Sequence, residues 1–226
     1  MKKNFFYSLI PAKQKSERLK DKNLLKIKNK TLLEISINSS LKSKYIDKTY
    51  VSTNSKKIYQ IAKKNNSYAL LRKKKYSNND APTFKVVLDF IEQLGIKSKK
   101  NLFIVYLQPT SPLRTSSQID IAIKKFIKSK KSSLISFKLY DKKILKGYFL
   151  KDNNFTPLYD NAVSTNSEKL PKVFMPNGAI FIFNVKDFII NRNFPSKNIY
   201  PFIMSDNTSI DIDNYEDYLT AKKLFK

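Results

Sequence analysis

The sequence predicts a three-layer α/β fold, a mostly parallel sheet with helices on both faces and a small protruding arm. Three observations carry this. Short apolar runs of strand length alternate with longer segments whose apolar residues recur at helical spacing. The run Leu102–Leu107 is a strand of β-branched and aromatic character bounded by polar residues. The third is quantity: 41% apolar residues in a chain of 226 can bury a sizeable core without disulfides.

In chain order, Asn4–Ile10 reads as a buried strand ended by Pro11, followed by a polar, aperiodic loop to Leu24. Thr31 with Glu34 has the spacing of a capping box, and Leu33, Ile37 and Leu41 then mark one helix face. Lys48–Ser52 is a second strand, Ser55–Lys64 a helix with Ile58, Ile61 and Ala62 inward, and Tyr68–Leu71 a third strand leading into a polar loop, Arg72–Pro82. From Thr83, Val86, Val87, Phe90, Ile91 and Leu94 repeat at helical spacing up to Gly95, a C-terminal stop. After Leu102–Leu107 come a helix at Ser117–Ser129 and a strand at Leu134–Phe137. Residues 140 to 175 break the rhythm, with short strands at Tyr148–Leu150 and Phe155–Leu158, and read as an insertion or arm. Strands at Ala179–Phe183 and Ile199–Ile203, a short helix at Val185–Ile190 and a closing helix at Asn214–Phe225 resume the pattern. The expectation is one domain over 1–226.

Composition narrows the chemistry. With no histidine and no cysteine, imidazole bases, thiol nucleophiles and zinc-thiolate sites are excluded. Carboxylates, hydroxyls, amides, lysines and the arginines Arg18, Arg72, Arg114 and Arg192 remain, a set suited to phosphate and to a hard, oxygen-ligated cation. No apolar stretch reaches the roughly 20 residues of a membrane span, so a cytoplasmic protein is expected. The net charge of +26 invites a nucleic-acid reading, but the lysines are spread through almost every element rather than gathered in one stripe. They read as solvated faces, with Lys73-Lys74-Lys75 the strongest exception.

Ligands of open parallel sheets sit beyond the carboxyl ends of the strands. The first such loop carries Lys13, Lys15, Ser16, Arg18, Lys20, Lys22 and Asn23, cations and short hydrogen-bonders able to cradle a polyphosphate, without the glycine spacing of a Walker loop. Near the other end, Asp211-Ile212-Asp213 in an extended segment would place two carboxylates on one side, where a divalent cation relieves their repulsion; alternatively one of them caps the closing helix. Gln108-Pro109-Thr110-Ser111-Pro112-Leu113-Arg114 sets an amide, two hydroxyls and a scarce arginine on a backbone fixed by two prolines.

These blocks occur in order with Val51-Ser52-Thr53, Arg72, Asp80 to Thr83 and Asn177-Gly178-Ala179. Together they resemble the acylneuraminate cytidylyltransferases, the CMP-sialic acid synthetase family, over essentially the whole chain. The family acting on 3-deoxy-manno-octulosonate is similar at the first loop and a poorer match at the Gln108 block and the final Asp-x-Asp. The resemblance implies a Rossmann-like nucleotidyltransferase that moves CMP from CTP to the anomeric hydroxyl of a nonulosonic acid, N-acetylneuraminic, legionaminic or similar. It implies CTP contacts from Ala12, Lys13, Ser16, Lys22, Asn23, Arg72 and Asp80, and sugar contacts from Gln108, Thr110 and Ser111. Asp211 and Asp213 would hold magnesium or manganese and would be catalytic together with Lys13 and Lys22. A homodimer is implied, with the 140–175 arm reaching the partner's site. The family's first loop usually reads Ala-Arg-x-Gly-Ser-Lys, where this chain has Ala12-Lys13-Gln14-Lys15-Ser16-Glu17. A lysine loses the bidentate fork of arginine, and a residue other than glycine restricts backbone approach to phosphate, so a weakened, nucleotide-binding member is the alternative. The family arginines before Asn177-Gly178 and Leu170-Pro171 are absent, which leaves Lys138, Lys142, Lys146 and Lys169 as candidates for the sugar carboxylate.

Overall fold

The computed structural model describes residues 4–14, 18–76 and 82–225. The strands are β1 (Phe5–Ala12), β2 (Lys26–Ile27), β3 (Lys30–Thr31), β4 (Lys48–Thr53), β5 (Tyr68–Leu71), β6 (Leu102–Tyr106), β7 (Ser133–Tyr140), β8 (Tyr148–Lys151), β9 (Asn154–Pro157), β10 (Val173–Asn184) and β11 (Ile199–Ile203). The helices are α1 (Leu32–Leu41), α2 (Lys56–Lys64), α3 (Thr83–Leu94), α4 (Ser116–Ser129), α5 (Val185–Asn191) and α6 (Tyr215–Leu224).

Seven strands form one sheet in the order β11-β7-β10-β6-β1-β4-β5. β1, β4, β5 and β6 run parallel, β10 is antiparallel to both β6 and β7, and β11 is parallel to β7. The predicted class holds, with one inverted strand.

The core lies in two layers. On one face Leu33 and Ile37 of α1, Ile58 and Ala62 of α2, and Ile119, Ala122, Ile123 and Phe126 of α4 pack on Ile10, Val51 and Val105. On the other, Val87, Phe90 and Ile91 of α3 and Val185 and Phe188 of α5 pack on Leu9, Ile104 and Phe183. A smaller cluster joins Ile27, Leu32 and Ile35 to Ile212 and Ala221, tying the start of α1 to the chain's final segment. Truncating a fully buried residue such as Ile10 to Ala should cost about 2–5 kcal/mol.

Local signals account for the element ends. Thr31 and Glu34 form the predicted capping box, Ser55 caps α2, and Gly95 closes α3 in the left-handed region at φ 62°. Three expectations are corrected. β1 continues through Pro11 to Ala12, paired with Ser52 and Thr53. The odd residues of β1 face β6, since Phe5 N–H donates to Asn101 and Leu9 accepts from Leu107, and the β6 pairing ends at Leu9. The missing donor of Pro11 therefore falls where no ladder bond is needed. Leu41, expected on the buried face of α1, is exposed at the helix end. Finally, β7 and β10 are longer than their apolar runs. Their outer halves pair Lys138 with Met175 and Tyr140 with Val173, and between them in the chain β8 and β9 form a separate hairpin. The two short strands expected in 140–175 are β8 and β9, and the region opens and closes on the extended ends of β7 and β10.

Candidate nucleotide cleft

The carboxyl ends of β1, β5 and β6 deliver Pro11 and Lys13, Arg72, and Gln108 with Pro109 and Thr110 to one sheet edge. With Lys22 and Asn23 from the turn after β1, and Thr83, Val86 and Tyr106, they line a single cleft. The first loop is closed on itself, because the Asn23 amide donates to the Lys13 carbonyl at 2.8 Å. Arg72 is mostly buried and donates to the Ser52 hydroxyl and carbonyl, both at 3.0 Å. Burial pushes its guanidinium below the usual range, opposed by Tyr106 and Asp89. Ser16 and Asp80 lie outside the described residues.

The two ends of the chain meet here. The Lys22 ammonium donates to Asp213 Oδ1 at 3.0 Å, and Arg18 lies 3.4 Å from Oδ2. The Asp213 side chain is half exposed, so the pair adds little stability and matters as placement. Asp211 is far more enclosed. Burial pushes its carboxyl above the ordinary range, Asp213 adds to that, and a hydrogen bond from Thr110 and the charge of Lys22 oppose it. Its Oδ1 is buried without a hydrogen-bond partner. An orphaned carboxylate oxygen beside a second carboxylate fits a hard cation, and among the described residues no third acidic group joins them, so substrate oxygens would complete the shell. Neither Asp caps α6: Asn214 and Asp217 form that capping box, and the Asp213 N–H donates to Asp217 at 2.9 Å.

Residues 211–213 belong to no strand or helix and are held in place by other bonds. Ile212 is fully buried, and its N–H donates to the Thr110 carbonyl at 2.9 Å. Asn177-Gly178 forms the irregularity in β10 between Pro176 and Phe181. Asn177 accepts from Ser136 at 2.6 Å and donates to Ser209 at 3.1 Å, fixing that irregularity against the segment before Asp211. Gly178 has φ 72°, and a Cβ there would overlap the Gln108 amide and stand 3.2 Å from Asp211 Oδ2. Only glycine lets these two side chains close over the backbone.

Gln108 and Thr110 line the cleft, whereas Ala12 and Ser111 are buried behind its lining. Arg114, the scarce arginine of the same block, is 2% exposed and donates to the carbonyls of Gln108 (2.9 Å) and Ala179 (3.0 Å) and the hydroxyl of Ser36 (2.6 Å). It is a strut that shapes the loop. Burial lowers its guanidinium to about 9, with Asp211 opposing, and it stays charged at neutral pH. Lys138, Lys142, Lys146 and Lys169 do not line the cleft, and Lys142 instead donates to the Glu168 carbonyl. The lysine run is also partly committed: Lys73 and Lys75 pair with Glu92 at 3.1 and 3.7 Å. Sequence reading missed Thr83, Val86 and Tyr106 as cleft walls; the position of Tyr106 at the end of the strongest strand was the available signal.

A cation-lined cleft at the strand ends of a seven-stranded α/β sheet, with one of its lysines paired to a nearby carboxylate, is the arrangement of the nucleotidyltransferase fold. The solved structure of CMP:2-keto-3-deoxy-manno-octonic acid synthetase complexed with CTP superposes with a TM-score of 0.74 over 98% of both chains at 13% identity. A family profile described as cytidylyltransferase matches residues 7–216, and the chain belongs to that family. It is 27% identical over 214 residues to the N-acylneuraminate cytidylyltransferase of Streptococcus agalactiae, covering 93% of this chain and 51% of that protein. It is 28% identical over 225 residues to the pseudaminic acid cytidylyltransferase of Campylobacter jejuni, covering 96% and 95%. The chain therefore spans about half the length of the first curated relatives it matches.

Proposed function

We propose that residues 1–226 act as one cytidylyltransferase domain that transfers CMP from CTP to the anomeric hydroxyl of a nonulosonic acid, releasing pyrophosphate. The observation that supports this reading is the contact between Lys22, which lines the cleft with Arg72 and Gln108, and Asp213 of the carboxylate pair. Names of relatives acting on sialic and pseudaminic acids support the choice of sugar class.

In this reading Lys13, Ser16 and Lys22 bind the triphosphate, Asn23 the ribose, and Arg72 with the loop at Asp80 the cytosine. Gln108 and Thr110 orient the sugar, with Ser111 supporting the loop. The anomeric hydroxyl gives up its proton and its oxygen bonds to the α-phosphorus as the bond from that phosphorus to the α,β-bridging oxygen breaks, and the electron pair leaves with pyrophosphate. Lysines fixed in the cleft stabilise charge gathering on the phosphate oxygens, and two positioned substrates react as if in one molecule. Asp211 and Asp213 would hold magnesium or manganese, which supplies charge neutralisation when bound. The exposed Phe149, Leu150 and Phe155 of the β8–β9 hairpin support a homodimer through the 140–175 arm. Among the described residues no helix is long and apolar enough to cross a membrane, and a cytoplasmic site of action is part of the proposal.

The test is incubation with CTP, magnesium and a panel of nonulosonic acids, following pyrophosphate and detecting the CMP-sugar by mass. One sugar giving both products is the expected result. CTP binding with no pyrophosphate from any sugar would favour the second reading, a nucleotide binder weakened at Lys13, Lys15 and Glu17, where the family motif carries Arg, Gly and Lys.

A further inference from the structure

Arg72 is the arginine that lines the cleft among the described residues, yet it follows β5, the edge strand of the sheet, whose Tyr68 and Leu71 are exposed. Arg72 itself is tied to β4, by its N–H to the Thr53 carbonyl at 2.8 Å and by its guanidinium to Ser52. The residues on either side of it are held from α3. Asp89, Glu92 and Gln93 stand at i, i+3 and i+4, on one face of that helix, and grip the segment from Leu71 to Tyr76. Gln93 Nε2 donates to the Leu71 carbonyl at 3.0 Å and to Asp89 Oδ2 at 2.8 Å. The Lys73 main-chain N–H donates to the Asp89 carboxylate. Glu92 accepts from Lys73 at 3.1 Å and from the Tyr76 hydroxyl at 3.4 Å, and Lys75 lies 3.7 Å away.

The Glu92 contacts are exposed and weak. Asp89 is different: it is 1% exposed, beside Val86, Val87 and Phe90, and its Oδ1 has no hydrogen-bond partner. Burial pushes its carboxyl upward, opposed by Gln93, by Lys73 and by the charge of Arg72. A carboxylate placed so costs stability that an apolar residue at the same helix position would not, so its presence calls for another role.

We propose that Asp89 is a positioning residue for nucleotide binding: from beneath the cleft it pins the Arg72–Lys73 backbone and presents a countercharge to the Arg72 guanidinium, fixing the end of the cleft that receives the base. The assignment rests on the reading of this cleft as a CTP site. It predicts that Asp89 acts through Arg72 and on CTP alone, leaving the sugar untouched.

The test is a double-substitution cycle on the full chain: wild type, Asp89→Asn, Arg72→Met and the pair, with CTP affinity from titration calorimetry, sugar KM from turnover, and thermal melting. Asp89→Asn should melt no lower than wild type, bind CTP ~tenfold more weakly and leave the sugar KM unchanged; in the Arg72→Met background it should add less than about twofold. CTP binding by Asp89→Asn equal to wild type, or losses that add in the pair, overturns the assignment. If Asp89→Asn does not fold, Gln93→Leu takes its place, a half-exposed change that removes the bonds to Leu71 and Asp89. It should weaken CTP binding in the same direction, and unchanged affinity overturns the proposal. A wild-type chain that binds no CTP overturns the function reading itself, a distinct result because it precedes any substitution.

Discussion

Asp211 and Asp213 carry the same side chain two positions apart, and their surroundings separate them. Asp213 is half exposed and paired with Lys22, whereas Asp211 is enclosed, with one oxygen orphaned and the other near Gly178. Asp211→Asn keeps shape and removes charge, so turnover should fall below detection while the melting temperature holds or rises, because a buried charge is gone. An active, folded Asp211→Asn protein would refute the metal assignment. Gly178→Ala is the geometric counterpart. It should cost about 1–2 kcal/mol for the left-handed backbone and, by displacing the Gln108 amide, about 100-fold in turnover, with CTP affinity little changed. Lys13→Arg restores the residue usual in the family motif and should keep or raise activity; a large loss would mean the loop is built around lysine. The residue types at the cleft were legible because phosphate and a hard cation demand cations and carboxylates. The roles of Arg114 and Asp89 were not. Arg114 is defined by partners 65 and 78 residues away at Ala179 and Ser36, contacts that spacing along the chain does not encode.

At the scale of elements, the Thr31–Glu34 box and Gly95 were read from the sequence, because each depends on neighbours within four residues, and α1 begins and α3 ends where they place them. The cap of α2 at Ser55 and the Thr115–Gln118 box that opens α4 have the same local character and were not read. Burial pushes the Glu34 carboxyl up, but hydrogen bonds from Thr31 outweigh it and the net shift is downward from 4.5. A lowered folded value stabilises the protein above the unfolded one, fully so at neutral pH, and that contribution fades as pH drops through the folded value. Thr31→Ala should therefore cost about 1 kcal/mol in neutral denaturant titrations, and Glu34→Gln should show a deficit at neutral pH that shrinks below the carboxylate range. A deficit unchanged in acid would mean that the Glu34 charge contributes nothing. The outer halves of β7 and β10 escaped sequence reading for a different reason. Leu139, Tyr140, Phe174 and Met175 are partly to well exposed, so apolar residues there report no core face and alternation fails. The same exposure continues on the hairpin, where Phe155 is 70% accessible. Replacing Phe149 and Phe155 together with Ser should leave the melting of the sheet domain within a few degrees and convert a dimer to monomer in sedimentation. A wild-type monomer would remove the arm from the proposal.

The whole molecule carries +26, and its ion pairs among the described residues engage Asp213 and Glu92. Most of that charge is therefore not locally compensated. Two consequences follow, with opposite sign. Like charges repel across a compact body, so the folded state is held back at low ionic strength and gains as salt screens it. Both proposed substrates are anions, a nucleoside triphosphate and an α-keto acid sugar, and a positive field gathers them toward the cleft, an advantage that the same screening removes. Raising sodium chloride from a low to a physiological level should lift the melting temperature while lowering kcat/KM for CTP, with kcat little changed, since the bound geometry is set by short contacts. Nucleic-acid binding would be equally salt-sensitive, so the control is competition: excess CTP should not displace DNA held by scattered surface lysines, because that DNA does not occupy the cleft. If kcat/KM is indifferent to salt while stability rises, the charge is only a solvated surface and the steering argument fails.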